Sequence, residues 1–201
     1  FVTGTATGIG KTEVSLGLLT LMRERGLKPF ALKPYQSGGG DDAKRLGAQV
    51  LFRFETPVAP GVAAEREQKP SSFARGVKAI PKTGAGVVEG AGGLYVPLDA
   101  KHDVIDLIEA ARLPVVLVAR LGLGTLNHTA LSLEALERRR VKVAAVVLVK
   151  STRGRDVSEE DNPRWLAKRH PKVNVLGPIG FHAHPGTRLA ACMKVLSPLV
   201  P

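Results

Sequence analysis

The apolar residues of this chain occur in short runs separated by longer stretches in which apolar and polar residues alternate with a helical period. The clearest runs are residues 114–119 and 143–149, which consist almost entirely of Val, Ala and Leu. Continuous apolar runs of this length are typical of parallel strands that are buried on both faces. We therefore predict an α/β fold, in which a mostly parallel sheet is covered by helices on both faces.

The same pattern predicts the order of the elements. Strands are expected at residues 1–3, 30–33, 86–89, 114–119, 143–149 and 173–176, and helices at 11–25, 41–52, 71–79 (with Ser71 as the cap), 103–111, 125–139, 159–169 and 186–196. Residues 53–68 are broken by Pro57, Pro60 and Gly61 and show no clear period. Neither an internal repeat nor a low-complexity linker interrupts the series, so we predict a single domain over residues 1–201. Because Phe1 falls inside a predicted strand, we expect residues to precede it in the full protein.

A glycine-rich turn joins the first predicted strand to the first helix. It reads Gly-Thr-Ala-Thr-Gly-Ile-Gly-Lys-Thr from Gly4 to Thr12. In this strand–loop–helix context, glycines allow backbone N–H groups to surround a phosphate, and the helix N-terminus adds partial positive charge. Lys11 would reach the β- and γ-phosphates of a nucleotide, and the Thr12 hydroxyl would bind Mg²⁺. The usual first glycine of such a loop is replaced by Thr5, so this is a variant P-loop, and we predict the P-loop NTPase architecture.

Composition and charge narrow the function further. The formal net charge is +11, but the basic residues are spread along the 201-residue chain and aromatic residues make up only 4% of it. We interpret the charge as a solvated basic surface that favours anionic substrates such as ATP, and nucleic acid as an improbable partner. The single cysteine, Cys192, excludes an internal disulfide and favours the cytoplasm. No apolar run approaches the roughly 20 residues that a membrane span needs, so no membrane association is predicted.

Five segments, in this order along the chain, resemble dethiobiotin synthetases, the ATP-dependent carbon–nitrogen cyclo-ligases of biotin biosynthesis. They are the variant P-loop, Lys33-Pro34-Tyr35-Gln36-Ser37, Asp42-Ala43, Val88-Glu89-Gly90-Ala91-Gly92-Gly93 and residues 121–128 around Asn127-His128. The resemblance implies an enzyme that forms dethiobiotin from 7,8-diaminononanoate, CO₂ and MgATP. A carbamate and a carbamic–phosphoric anhydride would be its intermediates.

The resemblance also implies roles for individual residues. Lys33 and Lys11 are expected to be catalytic, with Lys33 at the carboxyl end of its strand holding the carbamate and the phosphoryl oxygens. Mg²⁺ is expected on Thr12, Asp42 and Glu89. ATP is expected to contact Gly8, Ile9, Gly10, Lys11, Thr12, Glu13, Asp42, Glu89, Gly90, Ala91, Gly92, Val149, Lys150, Gly180, Phe181 and His182.

Substrate binding is expected at Ser37 and at the start of the helix that follows residue 124. In dethiobiotin synthetases this helix start comes from the neighbouring subunit and receives the substrate carboxylate. The resemblance therefore implies a homodimer with shared active sites, in which Gly124, Thr125, Leu126 and Asn127 bind the substrate. From the residues alone, Asn127 and His128 could equally be plain helix-capping residues.

The chain departs from the family pattern at two places. Ala6 replaces a frequent Asp in the loop, and Val149-Lys150-Ser151 stands where an Asn-Asp pair near adenine is frequent. These positions leave the substrate affinity and the base preference open. The alternative function is another P-loop ATPase, a nucleotide-dependent regulator or a partitioning or cluster-assembly protein. Those proteins usually carry a second lysine near the start of the loop, where this chain has Thr5 and Ala6.

Overall fold

The structure is a computed structural model, and it describes residues 1–200. Its strands all run parallel to their neighbours. In chain order they are β1 (Val2–Gly4), β2 (Phe30–Ser37), β3 (Gln49–Phe54), β4 (Gly86–Val88), β5 (Val115–Arg120), β6 (Val143–Val149) and β7 (Val175–Ile179). The predicted α/β class with a parallel sheet is confirmed.

The strands form two hydrogen-bonded groups that meet side by side. Strands β3-β2-β4 form one group and β1-β5-β6-β7 the other. A parallel bridge between Val2 and Glu89 joins them, with the Gly90 N–H donating to the Val2 carbonyl at 2.9 Å. The chain therefore changes direction of winding between β1 and β4. Ligands of open parallel sheets bind beyond the carboxyl ends of the strands at such a point.

Helices cover both faces of the sheet. They are α1 (Lys11–Glu24), α2 (Asp42–Leu46), α3 (Pro60–Arg66), α4 (Phe73–Lys78), α5 (Val104–Ala111), α6 (Thr125–Arg138), α7 (Asn162–Arg169) and α8 (Pro185–Leu196). Alternate residues of β5 enter opposite cores. Leu117 packs in the core that contains α5, whereas Val116 and Val118 pack in the core beneath α1 and α8. Burial on both faces is why these strands are continuously apolar.

Several predicted boundaries are wrong. In place of the helix expected over residues 41–52, the structure has only the five-residue α2. Gly47 adopts φ +61° and ends this helix, and the chain then forms β3. The alternation of exposed Arg53 between buried Phe52 and Phe54 is a strand signal that the sequence interpretation missed. The helix-capping hydroxyl is that of Ser72, which accepts from the Arg75 N–H, and not that of Ser71.

Three further differences affect the site region. Strand β2 continues through Pro34 to Ser37, so it is four residues longer than expected. The unassigned stretch contains α3, with Pro60 at its first turn, where the missing N–H has no intrahelical partner to lose. The last strand, β7, begins two residues later than expected and ends at Ile179.

Candidate active site

The glycine-rich loop connects β1 to α1 at the carboxyl edge of the sheet. Gly10 has φ +97°, and a Cβ at this position would lie 2.9 Å from Val149 Cγ1 at the end of β6. Both the left-handed conformation and the close approach require glycine. The side chain of Ile9 packs in the core below the loop, so only its backbone faces the nucleotide side. Lys11 turns back over the loop, with Nζ donating to the Ala6 carbonyl at 2.8 Å.

A buried charge cluster lies beside the loop. The Lys33 ammonium donates to Glu89 Oε1 at 2.5 Å and lies 3.4 Å from Asp42 Oδ2. Glu89 is 1% exposed, and its carboxylate also accepts from Thr12 Oγ1 at 3.2 Å and from Ser15 Oγ at 2.7 Å. A buried carboxylate is tolerated only when its charge is balanced and its oxygens are hydrogen-bonded. Both conditions are met for Glu89.

Strand lengths explain how Lys33 reaches this cluster. The sequence predicted that Lys33 lies at the carboxyl end of its strand. In the structure Lys33 lies in the middle of β2. Leu32 pairs with Val88, the last residue of β4, and the Glu89 N–H donates to the Leu32 carbonyl at 2.8 Å. Because β4 ends there, the crevice opens next to Lys33, although β2 itself continues for four more residues.

Burial depresses the basicity of the loop lysine. Desolvation lowers the pKa of Lys11 from 10.5 to about 8, an effect that Lys33 reinforces and that Glu89 and Asp42 partly oppose. At neutral pH Lys11 therefore remains mostly charged, but it loses its proton at a lower pH than a surface lysine does. A triphosphate close to its ammonium group would favour the charged form.

A cavity of about 440 Å³ opens above the loop and the charge cluster. Of the residues predicted to bind nucleotide, metal or substrate, those that line it are Gly8, Gly10, Lys11, Thr12, Glu13, Lys33, Ser37, Asp42, Gly90, Ala91 and Gly92. Glu89 lies behind Lys33 and does not line it. The sequence interpretation missed a wall formed by Tyr35, Gln36 and residues 57–60. The Pro-rich stretch carried a turn signal but no chemical one, so only its packing against the site reveals it.

The oxygens around Lys33 form a partial cation site. Thr12, Glu89 and Asp42 supply a hydroxyl and two carboxylates, the hard oxygen donors that Mg²⁺ prefers, and phosphate oxygens and water complete such sites. Within residues 1–200, no group of three or more His, Cys, Asp or Glu side chains could hold a metal by itself. The chemistry of these three donors fits a Mg²⁺ ion that phosphate oxygens also bind.

A second cavity, of about 170 Å³, lies on the other side of the loop. It shares Gly8, Gly10 and Glu13 with the first cavity, and it is lined by the other predicted ATP contacts, Val149, Lys150, Gly180, Phe181 and His182. Ser151 and Arg188 also line it and were not predicted. The Arg153 guanidinium lies over one face of the Phe181 ring, 5.6 Å from its centre. We propose that this is the side on which the base of a nucleotide lies.

The start of α6 is not part of either cavity. Gly124 and Asn127 are exposed, Thr125 is buried and Leu126 is half-buried. The preceding turn is held in place by Asp156, which accepts from the Leu123 N–H at 2.7 Å, and by Asn162, which donates to the Leu121 carbonyl at 2.6 Å. Leu123 in this turn is 81% exposed, and Val157, which follows Asp156 in the chain, is 86% exposed. Leu131, two turns further along α6, is 58% exposed.

Two features outside the site also bear on the sequence interpretation. Cys192 is buried in α8, and burial raises the pKa of its thiol to about 11, which suits a packing role and not a nucleophilic one. No helix within residues 1–200 combines the length and the apolar character that crossing a membrane requires.

This chain is similar in sequence to a family model and to known proteins. A family model described as an AAA domain matches residues 1–183. An ATP-dependent dethiobiotin synthetase of Anaeromyxobacter sp. strain K is 45% identical over 186 residues, covering 84% of this chain and 83% of that protein. One of Haloferax mediterranei is 41% identical over 179 residues, covering 82% and 77%.

Among solved structures, the apo McdA of Cyanthece matches with a TM-score of 0.60 and 13% identity, covering 98% of this chain and 91% of that one. A ParA family ATPase from Chlorobium tepidum matches with a TM-score of 0.57 and 12% identity, over 98% and 90%. At such low identity these structures show a shared fold only.

Proposed function

This chain belongs to the ATP-dependent dethiobiotin synthetases, and from that membership we propose that it closes the ureido ring of dethiobiotin from 7,8-diaminononanoate, CO₂ and ATP. The observation that supports this most directly is the pair of buried cations at the site. Lys11 of the P-loop and Lys33 both line one cavity of about 440 Å³, in which we propose that the second substrate also binds.

The reaction divides into three steps that balance in atoms and charge. One amine of the substrate adds to CO₂ and loses a proton, which gives a carbamate. A carbamate oxygen then attacks the γ-phosphorus of ATP, and the bond to the β-phosphate oxygen breaks to release ADP. Finally the second amine attacks the carbonyl carbon and loses a proton to solvent, the bond from that carbon to the phosphoryl oxygen breaks, and phosphate leaves as the ring closes.

The protein's part in these steps is to align anions and to balance their charge. Carbamate and triphosphate repel each other, and phosphoryl transfer depends on positioning and electrostatic stabilisation more than on covalent help. Lys11 would hold the β- and γ-phosphates, and Lys33 would lie between the carbamate and the transferred phosphoryl group. Ser37, at the end of β2 in the same cavity, would hydrogen-bond the diamine or the carbamate.

Mg²⁺ would be held by Thr12, Asp42 and Glu89 together with phosphate oxygens. When bound, the ion would neutralise part of the triphosphate charge and help to orient the γ-phosphate. Lys33 bridges the two carboxylates in the structure, so the charge cluster already balances a cation at this place. Binding of nucleotide and metal would free the Lys33 ammonium to turn towards the substrate.

We propose further that the active enzyme is a homodimer. A nine-carbon substrate needs a carboxylate site distant from its reacting amines, and the start of α6 offers free N–H groups for an anion. Gly124, Thr125, Leu126 and Asn127 do not line the cavity of their own subunit, so they would serve the site of the partner. The three exposed apolar side chains Leu123, Leu131 and Val157 are called the α6 patch, and we propose that the interface covers them.

The test is a product assay with purified protein. Incubation with ATP, Mg²⁺, bicarbonate and 7,8-diaminononanoate should form dethiobiotin, detected by mass spectrometry, with one ADP released per ring. Omission of any one component should abolish product formation. ATP hydrolysis that proceeds without the diamine, and that DNA or another protein stimulates, would instead support a partitioning-type ATPase.

A further inference from the structure

The wall of the second cavity is held by one arginine of α8. Arg188 lies in the first turn of α8, directly after the loop that connects it to β7. Its Nε and Nη2 both donate to the His182 carbonyl, at 2.9 and 2.6 Å. Two donors on one carbonyl restrict the orientation of that peptide group. The peptide belongs to the loop from Gly180 to His182, which forms part of the cavity wall.

The same arginine is tied to the phosphate loop. Arg188 Nη1 donates to Glu13 Oε1 at 2.9 Å, and Glu13 directly follows Thr12. Glu13 Oε1 also accepts from Arg45 Nη2 at 2.9 Å, on the helix that begins with Asp42. The Glu13 carboxylate of α1 therefore binds α2 directly through Arg45. Through Arg188 it is also connected to the loop before α8.

Arg188 occupies a position in α8 that is unfavourable for a positive charge. A cation in the first turn of a helix is unfavourable, because the N-terminus of the helix already carries partial positive charge. Arg188 occupies such a position and is compensated by Glu13. Burial alone would raise the pKa of Glu13, but the hydrogen bonds from Arg45 and Arg188 outweigh that effect and keep the pKa below its ordinary value. The geometry alone places one Glu13 oxygen 2.9 Å from a guanidinium nitrogen of each arginine.

We propose that Arg188 is a positioning residue that sets the base-binding half of the nucleotide site, holding the loop at His182 in a fixed relation to the P-loop through Glu13. The proposal rests on the nucleotide site of the proposed function. Arg188 contributes to the binding of the base and not to the binding of the phosphates. A change at Arg188 should therefore weaken the binding of the base alone, whereas a general loss of stability would weaken the binding of base and phosphates together.

The test compares ATP with inorganic tripolyphosphate, which has the phosphates but no base, both with Mg²⁺. In Arg188→Ala we expect the Kd for ATP, measured by calorimetry, to rise at least tenfold, while the Kd for tripolyphosphate changes less than twofold. Arg188→Lys keeps the charge opposite Glu13 but loses the planar fork, so an intermediate loss of ATP affinity is expected. If Arg188→Ala does not fold, Arg188→Lys provides the same comparison.

Arg45→Ala is the matched control. It removes the other cation from the same carboxylate with the same change in charge, but Arg45 does not contact the loop at His182. We expect it to leave the ratio of the two Kd values unchanged. Equal weakening of ATP and tripolyphosphate by Arg188→Ala would show a general charge effect and overturn the proposal.

The outcomes also separate this proposal from the proposed function. If the wild-type protein makes dethiobiotin and Arg188→Ala has a wild-type ratio, only the role of Arg188 is wrong. If the wild-type protein binds ATP no more tightly than tripolyphosphate, the second cavity is not a base site and the role of Arg188 is wrong with it. If it binds ATP but forms no dethiobiotin, the proposed reaction alone is wrong, and the ratio still tests Arg188.

Discussion

At the scale of single residues, the site consists of charges that hold one another in place inside the protein. Lys33 is buried between Glu89 and Asp42, and Lys11 is desolvated nearby. Removing one partner of a buried pair costs about 3–5 kcal/mol, because the other charge remains without compensation. The Thr12 and Ser15 hydroxyls on Glu89 reduce that cost here, because they continue to satisfy the carboxylate.

Lys33→Ala is expected to reduce turnover more strongly than it weakens ATP binding. The Lys33 charge would act mainly on the carbamate and on the phosphoryl group in transit, so its loss should lower kcat by about 100-fold or more. Steady-state kinetics and an independent Kd for ATP would measure both effects, with the melting temperature as the check on folding. A loss of ATP affinity at unchanged kcat would make Lys33 a nucleotide ligand only.

Lys11 should make ATP binding depend on pH. Because its pKa in the free protein is about 8, Lys11 loses its proton above that pH, while the phosphates of ATP are already ionised. The affinity for ATP should therefore fall above pH 8, by up to about tenfold per pH unit, and binding near pH 8.5 should take up protons. Calorimetry in buffers of different ionisation enthalpy detects that uptake.

Lys11→Arg is the control for this prediction, since a guanidinium stays charged over the whole range. A proton uptake that persists in Lys11→Arg would assign the effect to another group. The free protein should show the opposite trend in stability. Between about pH 8 and 10.5 the folded protein binds fewer protons at Lys11 than the unfolded chain does, so this residue makes unfolding harder as the pH rises.

At the scale of elements, the P-loop helix depends on close packing against the last helix. A Cβ on Gly17, in the middle of α1, would lie 2.9 Å from Cys192 Cβ and 3.0 Å from Leu196 Cδ1 of α8. Glycine in a helix costs about 1 kcal/mol relative to alanine, so the sequence by itself would favour alanine here. The short distance between α1 and α8 explains why glycine is present.

Gly17→Ala is expected to destabilise the protein in spite of the better helix propensity. Overpacking typically costs about 1–3 kcal/mol, which exceeds the gain of about 1 kcal/mol from propensity. The midpoint of urea unfolding should therefore fall. Gly39→Ala is the matched control, since a Cβ there meets no atom within 4 Å, and its midpoint should not fall. A higher midpoint for Gly17→Ala would mean that α8 moves away at little cost.

At the scale of the whole molecule, the proposed homodimer would make activity depend on assembly through the α6 patch and the start of α6. The side chains of Leu123, Val157 and Leu131 are exposed, and Leu123 and Leu131 lie immediately before and within α6. Leu131→Glu should therefore yield monomers by light scattering and lose activity together with the dimer. Glu134→Lys, an exposed charge change one turn further along α6, is the comparison for a change of charge alone.

Complementation tests whether the sites are shared. A mixture of inactive Lys11→Ala and Asn127→Glu subunits should regain about one quarter of the wild-type activity, because half of the dimers are mixed and each has one intact site. Glutamate at position 127 would repel the substrate carboxylate. If subunit exchange is shown independently and no activity returns, each subunit builds its site alone.

The amino-acid sequence by itself determined the class of fold, the variant P-loop and most of the elements. These features depend on local patterns, namely apolar runs, helix periods and a glycine-rich turn between a strand and a helix. Val149, Lys150, Gly180, Phe181 and His182 line one cavity, although the segments that carry them are distant in the chain. We expected them to bind ATP because of the resemblance to a family and not because of a local pattern, and that role stays a prediction.

Only the tertiary structure decided which side chains meet. Lys33 reaches Glu89 because β4 ends beside the middle of β2, and Arg188 reaches Glu13 from a position 175 residues away. The wall at residues 57–60 is recognised only from the cavity that it lines together with Tyr35 and Gln36 of β2. Strand register and long-range ion pairs are set by the sum of all contacts in the core. A pattern read over ten residues contains no information about that sum.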